Sequence, residues 1–138
     1  YGAFQYTTMT PFPYDDSYVP PAPSCQVTLV ATQTGQTVGP LNAILDTGAD
    51  GTLVPRHYLE AIGVLPVRKV GIRSQWGERR IAYLFLVTLR FDDFDLPGTY
   101  VVGDDKSQEV IIGRNVLNRL DIWLQGAQQL GHLALSRD

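Results

Sequence analysis

Ala43-Ile44-Leu45-Asp46-Thr47-Gly48-Ala49-Asp50 places a carboxylate at the end of an apolar run and follows it with a hydroxyl and a glycine. An apolar strand ending there delivers Asp46 to a partly buried position. Thr47 can brace the turn through its hydroxyl, and Gly48 lets the backbone come close to a substrate. Asp-Thr/Ser-Gly alone is weak evidence, because average residue usage produces it in roughly one chain in twenty of this length. A second stretch changes the odds. Val110-Ile111-Ile112-Gly113-Arg114-Asn115-Val116-Leu117 is another apolar run ending in glycine, and it leads into a helical pattern.

Around these two stretches the chain reads as β structure. Gln26 to Val30 alternates polar and apolar residues, the period of a half-buried strand. Leu41 to Leu45, Val67 to Arg73, Ile81 to Phe91, Thr99 to Val102, Glu109 to Ile112, Ile122 to Leu124 and His132 to Leu135 read as further strands. Ser74-Gln75-Trp76-Gly77-Glu78 forms a hairpin tip, with Gly77 available for positive φ. Asp95-Leu96-Pro97-Gly98 reads as a turn. Arg56 to Ile62 reads as a short helix between Pro55 and Gly63, and Arg114 to Leu120 is the best helix of the chain. Many short strands with so little helix make a mostly β barrel or sandwich.

Residues 1–24 stand apart as a Pro/Tyr-rich arm, leaving residues 25–138 as one domain. The arm holds Pro11, Pro13, Pro20, Pro21 and Pro23, with Tyr1, Tyr6, Tyr14 and Tyr18. Proline removes amide donors and fixes φ, which predicts an extended segment rather than a helix or a central strand. A flexible tail and an arm packed on its own or a partner's surface both fit.

At 138 residues the chain has room for one domain. Hydrophobic content of 44% and charged content of 18% suit a soluble globular protein. No apolar run approaches the roughly 18–20 residues that span a bilayer, so no membrane role is expected. Eleven Lys and Arg against 14 Asp and Glu, with no basic cluster beyond Arg79-Arg80, give no nucleic-acid groove. The single cysteine, Cys25, closes no internal disulfide and reads as a small core or interface residue. The compartment stays open, with the cytoplasm among those compatible. The sequence opens at Tyr1 rather than Met, which a processed leader would also produce.

Together the two motifs resemble the retropepsins, the single-domain retroviral-type aspartic proteases, including their bacterial retropepsin-like members. The resemblance runs from Cys25 to about Leu135 in order and spacing. It implies a single-domain closed β-barrel with one short C-terminal helix and a flap hairpin, acting as a homodimer on an extended peptide or protein substrate. By the same resemblance Asp46 is the catalytic aspartate, and the Thr47 hydroxyl interlocks with the other subunit. Gly48 offers its carbonyl to the substrate backbone, and Ala49 belongs to the same loop. Ile112 and Gly113 pack behind that loop, where Asp50 and Arg114 form a bracing acid–base pair. Trp76 and Gly77 fall where the flap tip belongs. Trp76 replaces the glycine-rich viral tip, and either a lid over substrate or packing at a dimer contact would occupy its indole.

The chemistry points independently to two copies. Aspartic proteolysis needs two carboxylates sharing one proton, one to activate water and one to protonate the carbonyl oxygen. This chain has one Asp-Thr/Ser-Gly, so two-fold symmetry must supply the second aspartate. Neither metal nor cofactor is expected. His57 and His132 read as surface or helix-end residues, and Asp92-Asp93-Phe94-Asp95 and Asp104-Asp105-Lys106 as solvated loops. Two rival functions remain at this level: a catalytically silent dimerisation or peptide-binding module on the same fold, and a metal-dependent hydrolase. The aspartic endopeptidase is the reading best supported by the residues.

Overall fold

Ten strands and two short helices make up residues 9–73 and 77–135, the part of the chain that the computed structural model describes. The strands are β1 Thr10–Asp15, β2 Ala22–Val30, β3 Thr37–Leu45, β4 Leu53–Pro55, β5 Arg68–Arg73, β6 Arg79–Arg90, β7 Asp95–Asp104, β8 Val110–Ile112, β9 Leu120–Gln125 and β10 Leu130–Leu135. The helices are α1 Arg56–Ala61 and α2 Arg114–Leu117, and one 3-10 turn at Gly126–Gln128 lies between β9 and β10. The mostly β, single-domain expectation holds, and both short helices lie where the sequence puts them.

The alternation in β2 shows why these segments are strands. Cys25, Val27 and Leu29 are buried and Gln26 is exposed, the period of a sheet with one face on the core. Phe85, Val87 and Leu89 of β6, with Leu96 and Val101 of β7, fill the same interior. Strand order runs β5-β6-β7-β4-β8-β3-β2-β1-β10-β9, and β6 also pairs with β2. Hydrogen-bonded neighbours therefore lead from β6 through β7, β4, β8, β3 and β2 back to β6.

Three expectations change. The Pro97-Gly98 turn signal is absorbed within β7, where the register against β6 shifts between Val87 and Leu89 and Gly98 takes φ of 62°. The bulge takes up the same Pro-Gly pair that would make a turn, with Gly98 supplying the positive φ. The C-terminal helix stops at Leu117 rather than Leu120, since Leu120 already pairs with Leu135.

The third change is in the arm. It is extended, as its prolines require, yet β1 lies between β10 and β2, with Phe12 in the core. Alternation explains how. The Tyr14 N–H donates to the Gln129 carbonyl at 3.0 Å, so the amides of residues 10, 12 and 14 face β10. Pro11 and Pro13 lack donors on the opposite side, where β2 pairs with Tyr14 and Asp15 but not with them. Prolines in alternate positions thus spare one edge of a strand while blocking the other.

Candidate active site

The strand pair β3–β8 fixes the position of Asp46. The two run parallel, with Leu45 opposite Ile112, so both chains leave the sheet at the same level. Asp46 follows on one side and Gly113 on the other, and the Asp46 N–H donates to the Ile112 carbonyl at 2.9 Å. Within the turn, the Gly48 N–H donates to Asp46 Oδ1 at 2.8 Å, and the Ala49 N–H reaches the Asp46 carbonyl at 3.2 Å. Asp46 is half-buried, while Thr47 and Gly48 are exposed. Among the described residues Asp46 Oδ2 accepts no hydrogen bond.

The second motif holds the turn from behind. The Arg114 N–H donates to the Ala49 carbonyl at 2.8 Å and the Asn115 N–H to the Asp50 carbonyl at 3.3 Å. This closeness needs Gly113: a Cβ there would overlap the Gly51 carbonyl and sit 2.9 Å from that of Ala49. Ile112 is fully buried beneath the same turn.

The Asp50–Arg114 ion pair does not form. Both side chains are exposed, and the ion pairs among the described residues are Arg56–Glu60, Arg80–Asp104 and Arg90–Asp95. Arg114 instead donates through Nη1 to the Thr47 carbonyl at 2.7 Å. It still braces the loop, through a backbone oxygen rather than a carboxylate. Asp50 contributes its own carbonyl to α2 in place of its side chain.

Two residues that sequence reasoning left aside complete the support. Thr52 is 1% exposed; its hydroxyl accepts from the Gly113 N–H at 3.1 Å and donates to Asn115 Oδ1 at 2.7 Å. Asn115 Nδ2 then donates to the Tyr100 carbonyl at 2.9 Å. Thr52 therefore ties the turn to β8, α2 and β7 at once. Its signal was an unremarkable hydroxyl just past the Asp-Thr-Gly stretch, which only the close approach of residue 113 turns into a hub.

The hairpin β5–β6 stands where the flap was expected, with Arg73 opposite Arg79 at the last described pair. Gly77 has φ of 84°, the positive value a tip requires. Trp76 lies outside the described residues. Asp104, expected in a solvated loop, is 4% exposed and accepts from Arg80 Nη2 at 2.6 Å, which ties the hairpin to the end of β7. Burial alone would push its carboxyl up. The Lys106 N–H and the Arg80 guanidinium outweigh that and hold it below its ordinary 3.8.

Other candidate chemistries find little. Burial, with Asp92 nearby, pushes the Cys25 thiol up to about 12, so at neutral pH it is not a thiolate nucleophile. Among the described residues no three His, Cys, Asp or Glu side chains converge to hold a metal. No helix of the described residues is long and apolar enough to cross a membrane.

Residues 30–116, well over half of the chain, match a family model described as aspartyl protease. The fold is similar to the crystal structure of a retropepsin-like aspartic protease from Rickettsia conorii, with a TM-score of 0.64 over 95% of this chain and 94% of that one. Identity between the two is 9%, so the likeness is one of fold. Among curated proteins no sequence match is found.

Proposed function

The chain belongs to the aspartyl protease family, and its fold is retropepsin-like; from that premise we propose that it is an aspartic endopeptidase acting as a homodimer. The observation that carries this reading is the placement of Asp46 at the mouth of the β3–β8 pair, with Oδ1 held by the Gly48 N–H and Oδ2 left open. The ring of strands from β6 round to β2 is then the closed barrel, and Asp46 lies on the dimer axis beside its symmetry mate. One carboxylate takes a proton from water as the water attacks the scissile carbonyl carbon. The protonated partner gives its proton to the carbonyl oxygen. The pair thus needs one proton between them, and activity falls toward alkaline pH as that proton is lost.

Thr47, Gly48 and Ala49 line the substrate backbone in this reading, and the hairpin with Trp76 and Gly77 covers it. Ile112, Gly113 and Arg114 support the loop. An extended peptide between hairpin and turn would pair by main-chain hydrogen bonds. No metal or cofactor takes part. The test is incubation with a diverse peptide library from acid to mildly alkaline pH, read by mass spectrometry, beside Asp46→Asn. Cleavage by the parent that the variant lacks supports the reading. Peptide binding without cleavage would mark the chain as a silent binding module on the same fold.

A further inference from the structure

The sequence scatters its basic residues, but the fold collects them. Residues 68–80 hold Arg68, Lys69, Arg73, Arg79 and Arg80, five of the 11 cations, against one acid, Glu78, of 14. The remainder of the chain is therefore more acidic than its net charge of -3 indicates. Residues directly opposite in an antiparallel pair share a face. The register Arg68–Leu84, Val70–Ala82 and Ile72–Arg80 defines one face, on which Ala82 is buried and Arg80 pairs with Asp104. Lys69–Tyr83, Gly71–Ile81 and Arg73–Arg79 define the other, which continues along β6 through half-buried Tyr83 into the core residues Phe85, Val87 and Leu89 and leaves Lys69, Arg73, Arg79 and Ile81 exposed at its distal end. Arg56 continues the line of charge, its guanidinium 4.9 Å from the centre of the Tyr83 ring.

Three features of this distal end of the hairpin call for a ligand. Arg73 and Arg79 are exposed and directly opposed, and like charges so placed destabilise a strand pair. Lys69, Arg73 and Arg79 form no ion pair among the described residues. Gly71 supplies no side chain, and a hollow of about 320 Å3 lies among Gly71, Ile72, Arg73 and Arg79. Beside it Ile81 is 68% exposed. Charges on β5, at the end of the strand order, would discourage unwanted strand pairing. That role leaves Arg79 unexplained, since β5 already covers β6 at that point.

We infer that this exposed distal patch of the hairpin binds an acidic stretch of the polypeptide substrate, with carboxylates bridging Arg73 and Arg79 over Gly71 and reaching Lys69. The inference rests on the protease reading for the identity of its occupant. A carboxylate between two guanidiniums makes charge-assisted hydrogen bonds and removes the repulsion that the bare hairpin carries. A short acidic segment fits a line of charge a few residues long. A nucleic acid would continue across the acidic remainder of the molecule and be repelled there.

The test uses the full chain carrying Asp46→Asn, so that binding is read without turnover. Labelled hexaglutamate, labelled hexaglutamine and a labelled single-stranded oligonucleotide are followed by fluorescence anisotropy. Hexaglutamate is expected to bind at least about tenfold more tightly than hexaglutamine and to weaken as salt rises. Arg73→Ser with Arg79→Ser should lower that affinity about tenfold while leaving the melting temperature equal or higher, because the opposed charges are gone. Lys69→Gln, which relieves no opposed pair, gives a second and smaller loss and serves if the double variant does not fold. Equal binding of the two peptides, or affinity unchanged in the variants, overturns the inference. Tighter oligonucleotide binding that the variants abolish overturns it in favour of a nucleic acid. Hexaglutamate binding by a protein whose parent cuts no peptide refutes the protease reading and leaves the acidic-peptide site standing.

Discussion

The turn that carries Asp46 and the hairpin β5–β6 are held by different means. Main-chain bonds clamp the turn from both sides: Asp46 to Ile112, Arg114 to Ala49 and Asn115 to Asp50, with the Gly113 N–H on the Thr52 hydroxyl. Beyond its own strand pairing, the distal part of the hairpin is tied to the body by a single ion pair among the described residues, Arg80–Asp104. Most of its side chains face solvent. Backbone hydrogen bonds around a glycine leave few alternative geometries, so Asp46, the reacting carboxylate in the proposed mechanism, is held in place ahead of any substrate. An exposed hairpin with one ion-pair tie sits at the low end of local stability, which suits the flap role proposed for it.

If the contrast is real, variants on the two sides should differ in size and kind. Gly113→Ala drives a methyl group into the Gly51 carbonyl and should cost roughly 4 kcal/mol or more in chemical denaturation. A variant that unfolds like the parent would show that the turn is not clamped. Asp104→Asn removes the charge that receives Arg80, at an expected cost of about 1.5–3 kcal/mol. Unlike the glycine change, it should raise hydrogen exchange selectively in residues 68–90. Uniform exchange would deny the tie its local role. Thr52→Val strands the Gly113 N–H and should cost about 1–3 kcal/mol, with activity falling alongside.

Smaller effects sharpen the same comparison. Arg114→Ala removes one exposed hydrogen bond to the Thr47 carbonyl, so it should cost only about 0.5–1.5 kcal/mol. It should still reduce kcat clearly, because the loop it steadies carries the proposed catalytic Asp46. A large melting shift with unchanged kcat would reverse that assignment. The pH response should be smaller still. The Asp104 carboxyl lies below its unfolded value of 3.8, so its tie is fully present above that value and is lost as pH falls through the folded one. Hairpin amides should therefore lose exchange protection in strong acid before the amides around Asp46 do. Simultaneous loss would remove the distinction between the two regions.

Much of this was legible in the chain. Strand periodicity located most of the sheet, because alternation is a local property that the core residues Cys25, Val27 and Leu29 of β2 display. Asp46 and Gly113 stood out because chemistry and close packing restrict those positions to one or two residue types. Other features depend on distant partners. Pro97 and Gly98 signal positive φ, but only the register of β6 decides between a turn and a bulge. Asp104 looks like a loop acid until Arg80 is brought beside it from residues 24 positions earlier. The arm's prolines announce an extended chain, yet nothing local reveals that one edge keeps its donors and meets β10. The Asp50–Arg114 pairing was implied by the retropepsin resemblance, and the Thr47 carbonyl took the guanidinium instead.

The central claim is that two copies of Asp46 make one site, and mixing tests it most directly. Parent and Asp46→Asn chains are combined in varying ratio at constant total concentration, allowed to exchange, and assayed on a peptide the parent cleaves. If each active unit needs Asp46 from both subunits, activity falls with the square of the parent fraction, because mixed dimers carry a defective pair. Activity that falls in simple proportion to the parent fraction would mean that each chain cleaves alone, and would contradict the shared site.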